Sequence, residues 1–335
     1  MPLKEFMEKV YQKEDMTLEE SKEALFAMMS SECSPAQISG FLTAIHMKGE
    51  TANEVTGFAL AMREKAVPVP IDNLSAMDTC GTGGDRKGSF NISTLTAFVL
   101  AGCGIPVVKH GNYAASSSCG SADLLEGLGM RYHLSPEEAA EALDRTNFAF
   151  LFAPDYHPAA KSILAIAKQL SVPTIFYLLG PLTNPAHPKV QLIGVYDFHA
   201  LPLIAGALAV LDPSARAVFL HSTDGFDEAT PCCNFLFHST EGEVKMLSAS
   251  QFGFKTCVSK DLRGGTSQQN AAIAMSILNG ELGPRRETVL LNALLGYMLF
   301  YPGCTQQEAL SAVIESLDCG GALGMVQAYR QRFPL

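Results

Sequence analysis

A proline-rich break, Val-Pro-Val-Pro at residues 67–70, divides the chain into two parts with different hydrophobic patterns. Residues 1–66 show only helical periodicity, with helix-start signals at Thr17 and at Ser34. Alternating prolines cannot continue a helix, so the break predicts a linker. The sequence therefore predicts a small N-terminal helical domain over residues 1–66, followed by a larger domain over residues 71–335.

Short β-rich segments alternate with helical segments after the break. The strand candidates are Ile105–Lys109, Thr174–Leu179, Leu192–Tyr196 and Ala217–His221. This alternation predicts an α/β domain with a central, mostly parallel sheet that helices cover on both faces. In such sheets a ligand binds at the carboxyl ends of the strands, so the loops at those ends are the candidate functional segments.

Composition excludes several classes of protein. Hydrophobic residues make up 47% of the 335 residues, which excludes a disordered chain. The formal net charge of −10 argues against a nucleic-acid partner. No secretion signal is visible, no uncharged stretch reaches the roughly 18 apolar residues that span a membrane, and the nine cysteines form no Cys-x-x-Cys pair. We therefore expect a cytoplasmic protein without a membrane partner.

A glycine-rich loop follows a short apolar segment and reads DTCGTGGD, then RKGSFNIST, over residues 78–94. Its glycines allow backbone N–H groups to approach a ligand, and its polar residues lie where a helix begins, an arrangement typical of anion binding. These residues are Gly81, Gly83, Gly84, Asn91, Ser93 and Thr94. A tight strand-to-helix turn explains the glycines equally well, and the loop is neither a Walker loop nor a dinucleotide fingerprint.

Two further loops strengthen the phosphate interpretation. Lys109 ends the next strand candidate, and a run rich in serine and glycine follows at residues 115–123, so a second phosphate group is expected there. Asp227 and Glu228, with Asp224 upstream, follow another strand and offer the hard oxygen ligands that suit Mg²⁺. An isolated Asp-Glu pair is usually a solvated turn, but beside two phosphate loops the metal interpretation is favoured.

Nine sequence runs resemble the anthranilate phosphoribosyltransferase family, in the same order and at similar spacing across nearly the whole chain. They are DTCGTGGD (78–85), FNIST (90–94), KHGN (109–112), SSxxGSADxLExLG (116–129), FLFAPxxHPA (150–159), LLGPLTNP (178–185), QLIGVYD (191–197), DGFDE (224–228) and NAAI…GPRRxxVLLNA (270–293). The resemblance implies the fold of class IV phosphoribosyltransferases and pyrimidine phosphorylases, with the helical domain completed by an inserted segment near residues 160–187. It also implies a homodimer that forms through the helical domains.

The implied reaction transfers the phosphoribosyl group of 5-phosphoribosyl diphosphate (PRPP) to the amine of anthranilate, with diphosphate released and Mg²⁺ required. This is the second step of tryptophan biosynthesis from chorismate, and two metal ions per subunit are expected with substrate. The family implies the metal ligands Ser93, Asp227 and Glu228. The PRPP-binding residues that it implies are Gly81, Thr82, Gly83, Gly84, Asp85, Ser89, Asn91, Ile92, Ser93, Thr94, Lys109, His110, Gly111, Asn112, Ser116, Ser117 and Ser121.

The acceptor segment departs from the family pattern. Its implied residues are Gly81, Asn112, Tyr113, Ala160, Ser162, Ala167 and Tyr177. Ala167 stands where the family has the arginine that faces the anthranilate carboxylate, and the neighbouring Lys168 points about 100° away on a helix. His110 either orients the acceptor, accepts its proton or is simply hydrogen-bonded beside the loop.

Three functions therefore remain open at this point. The first is anthranilate phosphoribosyl transfer. The second is the same chemistry on a different amine or aromatic acceptor, because the phosphate loops match the family and the acceptor segment does not. The third is a non-catalytic, nucleic-acid-binding paralogue, which the acidic charge disfavours.

Overall fold

The structure is a computed structural model that describes residues 2–30, 32–71, 76–114 and 118–335. Within those residues the N-terminal part contains four helices: α1 (Leu3–Tyr11), α2 (Leu18–Met29), α3 (Pro35–Lys48) and α4 (Ala52–Glu64). Thr17 and Ser34 each cap a helix, and the Glu or Gln three residues later returns a hydrogen bond to the cap. The two helix starts predicted from these residues are confirmed, because a capping box is a local interaction.

A sheet lies at the centre of the rest of the chain, and seven strands are seen in its described part, in the order β3-β2-β1-β4-β5-β6-β7. Their bounds are β1 (Met77–Asp78), β2 (Val107–Gly111), β3 (Phe148–Phe152), β4 (Val190–Gly194), β5 (Arg216–Ser222), β6 (Asn234–Ser239) and β7 (Val244–Ser248). Strands β1 to β5 run parallel, whereas β6 and β7 pair antiparallel at one edge. The predicted α/β class with a mostly parallel sheet is confirmed.

The remaining helices surround this sheet. They are α5 (Ile92–Gly102), α6 (Ser121–Gly127), α7 (Pro136–Thr146), α8 (Ala153–Tyr156), α9 (Lys161–Leu170), α10 (Phe176–Leu179), α11 (Leu201–Leu211), α12 (Ser267–Leu278), α13 (Pro284–Phe300), α14 (Gln306–Asp318) and α15 (Gly321–Arg332). Phe98 of α5 packs edge-on against Phe148 of β3, with ring centroids 5.1 Å apart. By length and composition, no single helix in the described chain could cross a membrane, whereas the bent pair α14 and α15 could.

Side chains of the sheet contribute to two hydrophobic clusters, one on each face. Along β5, Val218 and Leu220 join the cluster that contains α5 and α13, whereas Ala217 and Phe219 join the cluster that contains α1 to α4. This division follows from the period of two along a strand. The helical part therefore packs directly on one face of the sheet.

Helices from the second half of the chain complete the cluster around the N-terminal helices. Ile163 and Ala167 of α9, Leu178 of α10 and Ile204 of α11 are buried in it. The segment between β3 and β4 thus shares a core with α1 to α4. Gly180, directly after α10, lies beside the end of β2, where its carbonyl is 3.0 Å from His110 Nδ1.

The strand prediction for Thr174–Leu179 is wrong. Its second half forms α10, and Leu178 and Leu179 are buried against the helical cluster. A short apolar run has no periodicity that separates a strand from a buried helical turn, so its tertiary neighbours decide. The other three strand candidates are confirmed to within two residues as β2, β4 and β5.

Candidate functional site

Three loops follow the carboxyl ends of β1, β2 and β5. We define loop 1 as residues 79–91, loop 2 as residues 112–120 and loop 3 as residues 223–233. Strand β1 lies between β2 and β4, and β5 lies beside β4. Because parallel strands end at the same edge of a sheet, the topology brings together the three loops that the sequence singled out.

Loop 1 packs closely against the end of β4 and against α10. The Thr82 N–H donates to the Gly194 carbonyl at 2.8 Å, and a Cβ on Gly81 would lie 2.9 Å from the same oxygen. Gly84 has a φ of +88°, and a Cβ there would lie 2.8 Å from Cδ1 of Tyr177. Only glycine fits at positions 81 and 84, and the Tyr177 ring covers this part of the loop.

The amino end of α5 closes loop 1. Asn91 precedes the helix, and its Nδ2 donates to the Cys119 carbonyl of loop 2 at 3.2 Å. Within the described part of the chain, Asn91 Oδ1 and Thr94 Oγ1 are buried without a hydrogen-bond partner. These unpaired oxygens lie where helix N–H groups favour an anion.

Two other predicted residues of loop 1 and α5 have backbone roles. The side chain of Ile92 is fully buried, and its N–H donates to the Phe90 carbonyl at 2.7 Å. Ser89 forms an isolated β-bridge with Arg263, which ties loop 1 to the segment before α12. Both residues therefore shape the loop through the main chain.

The side chain of Lys109, in β2, contacts loop 1 and the start of α5. Lys109 is 2% exposed, and its ammonium donates to the Thr79 carbonyl at 3.1 Å, to Thr79 Oγ1 at 3.2 Å and to Ser93 Oγ at 3.3 Å. A buried cation among neutral oxygens places positive charge directly under the start of α5. In this structure the cation contacts loop 1, although its own strand leads to loop 2.

Loop 2 is held to the start of α6. Ser121 Oγ and the Asn112 main chain exchange hydrogen bonds at 3.2 Å. Tyr113 turns toward β3: its hydroxyl lies 2.8 Å from that of Tyr132, and its ring packs on Phe152 with centroids 5.0 Å apart. Gly111 is the last residue of β2 and lies two residues before Tyr113.

Ser116 and Ser117 were also predicted to bind PRPP, and both lie outside the described residues.

Two buried histidines lie beside loop 2. The ring centroids of His110 and His157 are 5.3 Å apart, and His110 Nδ1 lies 3.0 Å from the Gly180 carbonyl, so Nδ1 carries the proton and donates it. Burial lowers the pKa of His110 to about 3 and that of His157 to about 4. Both rings are therefore neutral at pH 7, and His110 Nε2 is a buried acceptor for which the described residues provide no hydrogen-bond donor.

His157 was not among the predicted site residues. Its His-Pro-Ala run follows the strand β3, whose five residues are all buried and show no alternation. A histidine five residues after the end of a fully apolar strand was the signal that could have indicated it.

Three carboxylates meet between loops 1 and 3. One oxygen from each of Asp85, Asp227 and Glu228 lies within 4.8 Å of the others. Burial, together with the charge of Asp227, raises the pKa of Asp85 to about 7. Burial and the charges of Asp227 and Asp85 raise the pKa of Glu228 well above its ordinary value. We call these residues the acid cluster.

The acid cluster fits a divalent cation. Asp85 Oδ2 and Glu228 Oε2 are buried and have no hydrogen-bond partner among the residues that the structure describes. Unpaired like charges in a partly buried place are unfavourable unless a cation joins them, and carboxylate oxygens are the ligands that Mg²⁺ prefers. Asp85, which the sequence indicated as a residue of the phosphate loop, lies with the two predicted metal ligands.

The predicted acceptor residues on and before α9 fall into two groups. Ala160 and Ala167 are buried in the helical cluster, whereas Ser162 is exposed. Lys161 and Lys168 are exposed as well. Helix α9 thus directs Ala167 into the cluster and the adjacent Lys168 toward solvent, because successive side chains on a helix point about 100° apart.

The chain matches two family descriptions: "Glycosyl transferase family, helical bundle domain" over residues 4–66, and "Glycosyl transferase family, a/b domain" over residues 73–323. A curated relative, the anthranilate phosphoribosyltransferase of Petrotoga mobilis, is 41% identical over 321 residues, which cover 95% of this chain and 93% of the relative.

Two solved structures are similar along nearly their whole length. The anthranilate phosphoribosyltransferase of Thermus thermophilus has a TM-score of 0.90 at 37% identity and covers 96% of this chain and 97% of its own. The Saccharomyces cerevisiae enzyme, in complex with PRPP and Mg, has a TM-score of 0.90 at 25% identity and covers 98% of this chain and 96% of its own.

Proposed function

This chain belongs to the anthranilate phosphoribosyltransferase family and transfers the phosphoribosyl group of PRPP to anthranilate, and we propose that loops 1, 2 and 3 carry out this transfer with bound Mg²⁺. The observation that carries the proposal is the acid cluster beside two loops of glycines, hydroxyls and helix N–H groups. A donor with phosphate at both ends of a ribose needs this combination of cation and anion-binding backbone.

Loop 1 and the start of α5 bind the diphosphate end of PRPP. Gly81 to Asp85, with Asn91 to Thr94, offer backbone N–H groups and hydroxyls at a helix N-terminus, and Lys109 adds a buried positive charge under them. Loop 2, including Asn112, binds the phosphoribosyl end together with Ser121 at the start of α6. This division is supported by the connections of the two loops, because loop 1 leads from β1 to α5 and loop 2 leads from the adjacent strand β2 to α6.

The acid cluster, with Ser93, holds Mg²⁺, and the proposal extends to two ions per subunit. When bound, Mg²⁺ supplies positive charge that stabilises the departing diphosphate. The raised pKa values of Asp85 and Glu228 in the metal-free protein support this assignment. They reflect repulsion among the carboxylates of the acid cluster, and a bound cation relieves that repulsion.

The bond between ribose C1 and diphosphate breaks as a bond from the amine nitrogen to C1 forms, and the ribose passes through a state that resembles an oxocarbenium ion; the nitrogen then releases its extra proton to solvent. The acceptor amine is neutral near pH 7, so positioning contributes more than deprotonation. Among the described residues His110 Nε2 has no hydrogen-bond partner, and a pKa of about 3 makes it a weak base. We therefore assign His110 to orient the amine by accepting its N–H hydrogen bond.

The structure of the acceptor segment favours one second candidate function. Ala167 and Ala160 are buried and neutral where the sequence resemblance expects polar or bulky contacts, so the same transfer to a different amine or aromatic acceptor is the alternative. Gly81, Asn112, Tyr113, Ser162 and Tyr177 complete the proposed acceptor contacts. A cytoplasmic homodimer that acts in tryptophan biosynthesis completes the proposal.

Two measurements test the function. Loss of anthranilate fluorescence in the presence of PRPP and Mg²⁺ reports turnover, and titration calorimetry reports whether PRPP binding requires Mg²⁺. Turnover with Mg²⁺-dependent binding is the expected result. Mg²⁺-dependent PRPP binding without turnover of anthranilate would favour the alternative acceptor, and the absence of both would contradict phosphoribosyl transfer altogether.

A further inference from the structure

Asp78, the last residue of β1, is a buried carboxylate surrounded by N–H donors. It is 2% exposed. Its Oδ1 accepts from the Cys80 N–H at 2.9 Å and from the His110 N–H at 3.3 Å, and its Oδ2 accepts from Asn184 Nδ2 at 2.8 Å. Three donors on one carboxylate are an unusually complete set of partners for a group that the sequence did not single out.

These three donors come from three different segments of the site. Cys80 lies in loop 1, His110 lies in β2, and Asn184 lies between α10 and β4. Asn184 Nδ2 also donates to the Val108 carbonyl at 2.9 Å, so it contacts the strand that contains His110. The Asp78 carboxylate therefore joins loop 1, strand β2 and the segment after α10.

A second contact closes this arrangement into a ring. His110 Nδ1 donates to the carbonyl of Gly180, which lies four residues before Asn184. Asp78 thus holds both the main chain of His110 and the segment that fixes the His110 ring. If either contact moves, the position of His110 Nε2 relative to loop 1 changes with it.

Charge keeps this carboxylate in its accepting form. Burial raises the pKa of Asp78 to about 6, while the positive charge of Lys109 and the hydrogen bonds from Asn184, His110 and Cys80 oppose that rise. The group is consequently ionised at pH 7, and hydrogen bonds to an ionised acceptor are stronger than neutral ones.

We propose that Asp78 is a positioning residue for the transfer, which sets loop 1 and His110 at the distance at which the amine meets ribose C1. The proposal rests on the function proposed above and deepens it. Asp78 touches neither substrate: it acts through Cys80 and His110. A near-attack geometry is sensitive to shifts of about 1 Å, so loosening these contacts lowers the rate more than it weakens binding.

The test compares two isosteric changes in buried residues. Asp78→Asn keeps the shape of the side chain, but an amide has a single acceptor atom for three donors, so at least one N–H faces another donor. Thr183→Val is the matched control: Thr183 is equally buried, precedes Asn184, and loses only its hydrogen bond to the Leu179 carbonyl.

In steady-state kinetics, Asp78→Asn lowers kcat by about tenfold to a hundredfold, the range expected for hydrogen bonds to a charged group, while KM for PRPP changes less than about threefold. Thr183→Val keeps kcat within about twofold of the wild-type value, even if its melting temperature falls as far as that of Asp78→Asn. A folded Asp78→Asn protein with nearly normal kcat, or with losses that match the control, would overturn the proposal.

Asn184→Leu supplies an independent test if Asp78→Asn does not fold. It removes one donor from the carboxylate and leaves the charge in place, and kcat falls about tenfold relative to Thr183→Val. Equal kcat in the two variants would refute the positioning role. Absence of turnover in the wild-type protein would instead contradict the proposed function, so the two failures are distinguishable.

Discussion

Protonation of the buried histidines at low pH should favour the unfolded state, and His157 offers the sharpest test. A histidine in an unfolded chain has a pKa of about 6.5, whereas burial lowers that of His157 to about 4. Between these values the unfolded chain binds a proton that the folded protein does not. The free energy of unfolding therefore decreases as the pH falls through this window.

The magnitude follows from the width of the window. Each pH unit below 6.5 removes about 1.36 kcal/mol per histidine, so at pH 5 the loss due to His157 alone is about 2 kcal/mol. His110, with a pKa of about 3, adds a similar loss. Buried carboxyl groups act in the opposite sense. A pKa of Asp78 raised to about 6 lets the folded state take up a proton and returns about 1.4 kcal/mol at pH 5, and the raised pKa values of Asp85 and Glu228 also stabilise the folded state on acidification.

Urea unfolding at pH 7 and pH 5 isolates the contribution of His157. Between these pH values, His157→Gln should lose about 2 kcal/mol less unfolding free energy than the wild-type protein, because glutamine does not titrate. Any constant cost of the substitution cancels in this difference. His199→Gln, at an exposed position, is the matched control and should lose as much as the wild type. Equal losses for His157→Gln and the wild type would refute a neutral, buried His157.

Three further substitutions test the loops and the acceptor segment. Gly84→Ala should weaken PRPP binding at least tenfold in calorimetry, because its Cβ would meet Tyr177 at 2.8 Å, whereas Gly83→Ala, at a position open to solvent, should weaken it less; equal effects would contradict the packing argument. Asp227→Asn should stabilise the metal-free protein by relieving repulsion in the acid cluster. In the same variant, PRPP binding should require a higher Mg²⁺ concentration. An unchanged Mg²⁺ requirement would show that Asp227 is not part of the metal site. Ala167→Arg should lower KM for anthranilate about tenfold, as a charge-assisted bond to a carboxylate would, and an unchanged or higher KM would count against position 167 as an acceptor contact.

Much of the candidate site could be predicted because its signals are local. The turn at Gly84 needs a positive φ that glycine adopts freely, and the adjacent pair Asp227 and Glu228 follows a recognisable strand. Asp85 was predicted with its loop, but its place in the acid cluster was not, because loops 1 and 3 are far apart in sequence. The partners of Lys109 were also not predictable, since a side chain's direction depends on the neighbouring strand.

The amino-acid sequence by itself determined the helix starts at Thr17 and Ser34, the alternation that makes an α/β sheet, and the composition of the loops at its edge. Each of these depends on residues within a few positions of one another. Only the tertiary structure decided that Thr174–Leu179 ends in a helix and that Asp78 gathers donors from three segments. Burial and hydrogen bonding at those positions come from residues distant in the chain, and the free energy of a buried group depends on which neighbours the fold provides.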